Sequence, residues 1–443
     1  MDLPSGRRLH SIATNFDGTR IRQAALSPDP ERLAIDSSGG GNPDPNLSLW
    51  DAVNSKELWH LAIGRGQLST LRFSPTGQQL LGISRGHGIH RWDAITGKEA
   101  QGFLDPNVGV HDLAFSPDRK LLASGGPEIR IWDYAGGNLL RTLGNGRERI
   151  DAISLTFTPA GSTLICGQNS RIVIWDWMKN QQLMVFGEQV RGAVWATVLT
   201  ADGRSLLTGD REGQVRLWEL ATRKERACFR GHTIDASVVE VALAPDGLSA
   251  ASVGIEGAIF VWDLTGQAPE GRLVHAELSD QQRIGLWEIL ADDDAALANK
   301  AIWKLVAGGD DAVAFLVQRL RPVPLDIDTH IERLLTTLVR GEGATRETAM
   351  SDLDRLGPLA AAALRSRLEK VSPGETRDRI DYLLRKADRT IPSGEYLRTL
   401  TALEVLEKIN SPAGRKLLTE LAGGHADAPV TREAKNSIGR TGP

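Results

Sequence analysis

A repeat of 40 to 44 residues constrains the fold of this chain more than any other feature of its sequence. Six apolar segments end in a tryptophan followed by an acidic residue, and successive tryptophans are 42, 40, 43, 43 and 44 residues apart. They are Trp50, Trp92, Trp132, Trp175, Trp218 and Trp262. A second marker, Phe-Ser-Pro-Asp or a variant of it, keeps the same phase at Ser27, Ser74, Ser116, Thr158, Thr200 and Ala244. Two markers in phase over six units indicate a repeat architecture.

Each unit has the pattern of short strands separated by turns. In the third unit, VHDLAFSP alternates apolar and polar residues, Pro117-Asp118 marks a turn, and LLASGG, EIRIWD and NLLRTLG follow as three more strands. Four such strands form a small antiparallel sheet, which cannot bury both of its faces alone. We therefore expect the copies to stack around a ring.

The repeat resembles the WD40 family over residues 1–270. The resemblance is carried by DAITGKE (Asp93–Glu99), FRGH (Phe229–His232) and the long stretch Leu243–Asp263. It implies an all-β propeller that binds partners. Asp2–Leu9 resembles the outer strand that follows each Trp-Asp pair, and in WD40 rings that strand closes the circle on the last blade. Six blades is the direct count, while a hidden seventh blade and a native chain that starts upstream of Met1 stay open.

The polar network usual in WD40 repeats is largely replaced here. Only Gly231-His232 supplies the Gly-His pair of that network, and a partial network of His232, a nearby serine (Ser249 or Ser252) and Trp262 is predicted. The turn aspartate is replaced in four repeats, by Glu128, Asn169, Glu212 and Glu256. The ring is thus expected to depend on packing, so the six repeat tryptophans and His232 are predicted to be structural.

After Asp263 the pattern becomes helical. Residues 271–278 are predicted to be a linker, and residues 279–443 an all-α domain, either HEAT-like or a compact bundle. Ala344–Lys370 resembles a HEAT-like helix pair, and Ser411-Pro412 has the form of a helix start. A propeller with such a tail resembles large bacterial WD40 proteins.

The sequence contains none of the common catalytic or phosphate-binding motifs, such as GxSxG, HExxH or GxxxxGK[ST]. His87 and His90 are the nearest approach to a metal pair, but a hairpin position explains them better. We therefore predict that the protein is not an enzyme and that it has no cofactor and no metal site. A small-molecule sensor or an enzyme that uses the propeller channel is the alternative.

Net charge and hydropathy limit the classes of partner that this chain is expected to bind. The net charge of −4 provides no basic field for nucleic acid, and no apolar run is long enough to span a bilayer. The first residues lack the apolar core of a secretion signal. A cytoplasmic protein that binds proteins or peptides, rather than nucleic acid or membrane, is predicted.

Binding residues are sought on the rim of the ring. Four positions before each Phe or Leu of the Ser-Pro marker, the units carry residues of mixed chemistry: Arg22, Ser69, His111, Ile153, Trp195 and Val239. Trp195 is outside the repeat's tryptophan position, and it is predicted either to anchor a partner or to pack between blades. The candidate partner-binding residues are Trp195, His111, Arg22, Arg85 and Arg211.

Overall fold

The computed structural model describes residues 19–39, 42–63, 68–84, 88–103, 109–144, 149–233, 236–268, 272–387 and 391–441. Two compact units are distinguished by their internal contacts. The first comprises Met1–Arg216, Phe229–Leu243 and Ala251–Val261, and the second comprises Leu217–Cys228, Ala244–Ala250 and Trp262–Pro443. The domain and linker boundaries expected from the sequence stay predictions.

The β-strands form six antiparallel sheets of consecutive strands, five with four strands and the last with three described strands. The strands are β1 Thr19–Leu26, β2 Arg32–Gly39, β3 Asn42–Asp51, β4 Lys56–Ala62, β5 Leu68–Phe73, β6 Gln79–Ser84, β7 Gly88–Asp93, β8 Glu99–Phe103, β9 Asp112–Phe115, β10 Leu121–Gly125, β11 Ile129–Asp133, β12 Leu139–Leu143, β13 Ser154–Phe157, β14 Thr163–Gln168, β15 Arg171–Asp176, β16 Gln181–Phe186, β17 Val194–Leu199, β18 Ser205–Asp210, β19 Gln214–Glu219, β20 Lys224–Arg230, β21 Val238–Leu243, β22 Ser249–Gly254 and β23 Ile259–Asp263. The protein is a six-bladed β-propeller, as counted from the repeat, followed by a helical region.

The turn at each Ser-Pro marker explains why the strands break where they do. In the third blade, the Ser116 hydroxyl donates to the Asp118 carboxylate over 2.6 Å and accepts from the Leu121 N–H over 2.9 Å. A side chain that satisfies turn amides in this way holds the chain reversal between β9 and β10. Equivalent bonds are made by Thr200 and Asp202 between β17 and β18.

Packing between blades follows one rule. The residues one and three places before the tryptophan lie on one face of the sheet, called here the leading face, which packs on the next blade. Ile129 and Ile131 of the third blade, for example, share a core with Leu155, Val173 and Trp175 of the fourth. In the first five blades, the residue three places before the tryptophan is only 0–2% exposed: Leu47, Ile89, Ile129, Ile172 and Val215.

The leading face of the sixth blade is different. Ile259 is 60% exposed and Val261 45% exposed, and Trp262 is half-buried, while the other five repeat tryptophans are buried. Asp2–Leu9, which was predicted to close the ring on this blade, lies outside the described residues. The sixth blade therefore exposes an apolar residue, Ile259, at a position that is buried in the other five blades.

The helices are α1 Asp280–Ile289, α2 Ala295–Ala307, α3 Gly309–Val317, α4 Ile327–Arg340, α5 Gly343–Leu356, α6 Ala361–Leu368, α7 Glu375–Ala387, α8 Gly394–Ile409, α9 Pro412–Ala422 and α10 Pro429–Thr441. Side chains cap the starts of α1 and α9. Ser279 and Gln282 form a capping box on α1, and the Ser411 hydroxyl accepts from the Gly414 N–H with Pro412 at the first turn of α9. Two separate cores are built, one from α1–α3 and α8–α10 and the other centred on α4–α7. Whether the packing is HEAT-like stays a prediction.

Candidate functional site

The first strands of successive blades, β1, β5, β9, β13, β17 and β21, contact one another and are therefore the inner strands of the propeller. The end of the blades at which these strands begin is the candidate functional site, and it is called here the inner-strand rim. Val194 pairs with Asp210, so the start of β17 and the hairpin after β18 lie at the same end of the blade. That register brings the candidates Trp195 and Arg211 to one edge. Both side chains are exposed, Trp195 to 42%.

Trp195 projects because of a break in strand register. The pairing of β17 with β18 shifts between Val194 and Ala196, which leaves Trp195 as the extra residue. The same shift occurs around Ser69 in β5 and around Arg22 in β1. A β-bulge turns a side chain away from the regular alternation of the strand, and such bulges recur beside functional sites. The rim position defined by the sequence is thus a bulge in at least three blades.

The other candidates are placed as follows. His111 is exposed, and its backbone is held by a bond from its N–H to the Gly125 carbonyl and another from the Thr70 hydroxyl to its own carbonyl. The backbone of Arg22 lies in β1, and its side chain is outside the description. Arg85 lies outside the described residues. Val239, at the rim position of the sixth blade, is 41% exposed.

Below the rim, one ion pair crosses between neighbouring blades. The Arg72 guanidinium donates to the Asp112 carboxylate over 3.0 Å, and Asp112 also accepts from the N–H groups of Leu113 and Leu155. This fully satisfies a nearly buried carboxylate. The Asp112 charge raises the pKa of Arg72 above its usual value, against the opposing effect of burial, and Glu240 adds to the rise.

Glu240 occupies the position in β21 that Asp112 occupies in β9, three places before the Leu or Phe of the Ser-Pro marker. Its side chain is exposed to solvent. Partial desolvation nevertheless raises the pKa of the Glu240 carboxyl above its usual value, with Arg72 opposing the rise and Asp112 adding to it. The space bordered by Arg72 of β5, Asp112 of β9 and Glu240 of β21, called here the channel mouth, therefore holds one guanidinium and two carboxylates.

Two Ser-His-Glu sets connect strands within blades. In the sixth blade, His232 bonds to the Ser252 hydroxyl over 2.7 Å and to Glu256 over 2.6 Å. In the second blade, His90 bonds to Ser84 over 2.8 Å and to Glu99 over 2.9 Å. The second set was not predicted from the sequence, because His90 lies in β7 rather than in the Gly-His pair of the repeat. Its place two residues before Trp92, where it stacks on the indole, was the available signal.

These two hydrogen-bonded sets have a structural role. Ser84 and Ser252 are buried, so neither hydroxyl is presented to a substrate as a nucleophile must be. The set in the second blade does border a cavity of about 560 Å³, which Leu61, Ile63 and Trp92 also line. Within the described ranges, no group of three or more His, Cys, Asp and Glu side chains is placed to hold a metal ion.

The comparisons with known proteins agree with the propeller. Residues 99–133, which run from β8 to the end of β11, match the family described as WD domain, G-beta repeat. Residues 99–133 therefore form a WD40 repeat of this propeller. An uncharacterized WD repeat-containing protein of Synechocystis is 29% identical over 56% of this chain and 70% of its own length. Telomerase protein component 1 of Rattus norvegicus is 25% identical over 48% of this chain. Autophagy-related protein 16 of Arabidopsis thaliana is 22% identical over 53%.

The aligned part of the WD40 relatives varies widely. It is 8% of the rat protein and 46% of the Arabidopsis protein, so the chain spans less than half of either relative. The activities and partners of those whole proteins are therefore not established for this chain. Among the helices that the structure describes, each is too short or too polar to cross a membrane.

Proposed function

We propose that the protein is a non-catalytic interaction scaffold that binds protein or peptide segments at the inner-strand rim. The observation that carries the proposal is the bulge that holds Trp195 out of the blade, 42% exposed, at the end of the propeller where Arg211 and Val239 also reach the surface. An exposed tryptophan on a rigid strand costs little entropy to immobilise and provides a large apolar contact, as interface anchors do. WD-repeat proteins generally act as such scaffolds.

The experiment is a selection of binding peptides from a random display library on the full chain. Peptides that bind the inner-strand rim should lose about tenfold or more in affinity to Trp195→Ala, since hot-spot tryptophans contribute about 2 kcal/mol or more. Met178→Ala is the matched control, because Met178 is an exposed apolar residue in the turn after β15, at the opposite end of its blade. Equal loss with both variants, or no loss with Trp195→Ala, would remove the rim from the proposal.

A second candidate function is supported by the cavity beside Ser84, His90 and Glu99. It is large enough for a metabolite, and its lining combines apolar side chains with a hydrogen-bonding set. This favours a small-molecule sensor at the cavity over one in the channel. A panel of metabolites that raises the melting temperature of the wild type, but not of His90→Phe, would support it. A panel without any shift would argue against it.

The proposal prefers protein partners over nucleic acid because the chain has a net charge of −4. Two relatives bear telomerase names, one of them Telomerase Cajal body protein 1 of Homo sapiens. Filter binding with a single-stranded RNA at low salt would test the preference. The cytoplasmic location stays a prediction.

A further inference from the structure

We infer that the channel mouth at Glu240 is a subsite for a cationic side chain, a lysine or arginine, of the bound protein or peptide. The inference rests on the proposed function, since it assigns part of the partner that the inner-strand rim binds. It is carried by a comparison of two blades at the same repeat position. In the third blade the acidic residue forms an ion pair with an arginine, whereas among the described residues none forms an ion pair with the acidic residue of the sixth blade.

The third blade shows how an acid at this position is normally neutralised. Asp112 lies three places before Phe115, the phenylalanine of the Ser-Pro marker in its blade. Arg72 lies one place before Phe73, the equivalent phenylalanine of the preceding blade, and its guanidinium is 3.0 Å from the Asp112 carboxylate. The guanidinium and two backbone N–H groups together satisfy the carboxylate, which is almost buried.

The sixth blade repeats the acid without the base. Glu240 stands at the position of Asp112, but the preceding blade has Val198 where the second blade has Arg72. No residue of the described part of the chain forms a hydrogen bond with the Glu240 carboxylate, and the side chain is exposed. Arg72, which also interacts with Glu240 electrostatically, is already engaged by Asp112. One negative charge at the mouth is therefore uncompensated.

Partial desolvation raises the pKa of the Glu240 carboxyl, while the charge of Arg72 opposes the rise and that of Asp112 adds to it. A cation bound beside this carboxylate would stabilise its charged form, as Arg72 does for Asp112.

The neighbours of Glu240 fit a cation on an apolar stem. Val239, the adjacent rim residue, is 41% exposed, and Trp195 occupies the same rim position in the fifth blade, whose inner strand β17 lies beside β21. Lysine and arginine side chains place methylenes on apolar surface while their charged ends reach a carboxylate. The tryptophan ring adds a favourable face for a guanidinium or ammonium group.

The test uses the peptides selected on the wild-type chain. Those peptides should share one basic residue, and the best binder is compared with its copy in which citrulline replaces arginine or norleucine replaces lysine. The neutral copy should bind wild type about tenfold more weakly, as a charge-assisted contact predicts. Glu240→Gln should bind both copies alike. Glu188→Gln, an exposed acid in the loop at the same end of the propeller, should discriminate as wild type does.

The outcomes separate the subsite from the function that it refines. Peptides that depend on Trp195 but share no basic residue would keep the scaffold and refute the cationic subsite. Discrimination that persists in Glu240→Gln would refute it as well. If the library yields no peptide that distinguishes Trp195→Ala from wild type, the proposed function fails and the subsite fails with it. Circular dichroism of each variant checks that loss of binding is not loss of fold.

Discussion

Replacing Arg226 with methionine should strongly destabilise the second compact unit. Arg226 on β20 donates two bonds of 2.8 Å to the carboxylate of Glu404 on α8 and one of 2.5 Å to Glu219. All three side chains are almost completely buried. Burial alone would lower the pKa of Arg226, but the Glu404 and Glu219 charges raise it well above its usual value. The arginine is thus held charged by its two partners.

The magnitude follows from what the substitution leaves behind. Methionine fills much of the volume, but it leaves two carboxylates buried without the guanidinium, with Lys408 3.5 Å from Glu404. Removing one partner of a buried ion pair costs about 3–5 kcal/mol, because the remaining charge stays desolvated.

The assay is urea denaturation of the full chain, followed at 222 nm, where the helices dominate the circular dichroism. Arg333→Met is the matched control, because Arg333 pairs with Asp326 at 3.2 Å while both side chains are mostly exposed. Such a surface pair contributes at most about 1 kcal/mol. A loss below about 1 kcal/mol for Arg226→Met, or one no larger than that of the control, would refute the reasoning.

Three further predictions concern the propeller. Ile129→Ala should lower the free energy of unfolding by about 2–5 kcal/mol in chemical denaturation. Ile259→Ala, at the same repeat position on the exposed leading face, should change it by no more than about 0.5 kcal/mol. Similar losses in the two variants would mean that the leading face of the sixth blade is covered like the others. Burial raises the pKa of the Cys166 thiol to about 12, so this thiol should resist iodoacetamide at pH 8 until the chain is unfolded. Mass spectrometry of the labelled peptide measures this, and rapid labelling of the native protein would contradict the burial of the thiol. Trp218→Ala should cost about 3–5 kcal/mol and Trp195→Ala less than about 1, because Trp218 is fully buried and Trp195 projects from the rim; a reversed order by calorimetry would show that Trp195 is a packing residue.

The repeat made the propeller predictable because its markers have direct structural consequences. A tryptophan at a fixed place in the third strand needs a neighbouring blade to bury it, and the Ser-Pro-Asp turn ends the first strand by local hydrogen bonds. Both effects act within one unit or between adjacent units. The order of strands therefore followed from the pattern alone.

Features that depend on distant residues were not predictable from one sequence. The partners Arg226 and Glu404 are 178 residues apart, and neither has a local signal. The bulge at Trp195 depends on how β17 pairs with β18, which a strand pattern does not reveal. The exposure of Ile259 could not be inferred either, since its sequence position equals that of five buried residues. The uncompensated charge of Glu240 becomes visible only when the blades are compared in space.

The most direct test of the account is hydrogen-deuterium exchange of the full chain with and without the tightest selected peptide. If the peptide binds the inner-strand rim, amide exchange should become slower at the starts of β17 and β21 and in the hairpin that contains Arg211. Exchange in the turn at Met178 should be unchanged. Protection confined to the helices, or to the turns at the opposite end of the propeller, would contradict the claim that this rim is the binding surface.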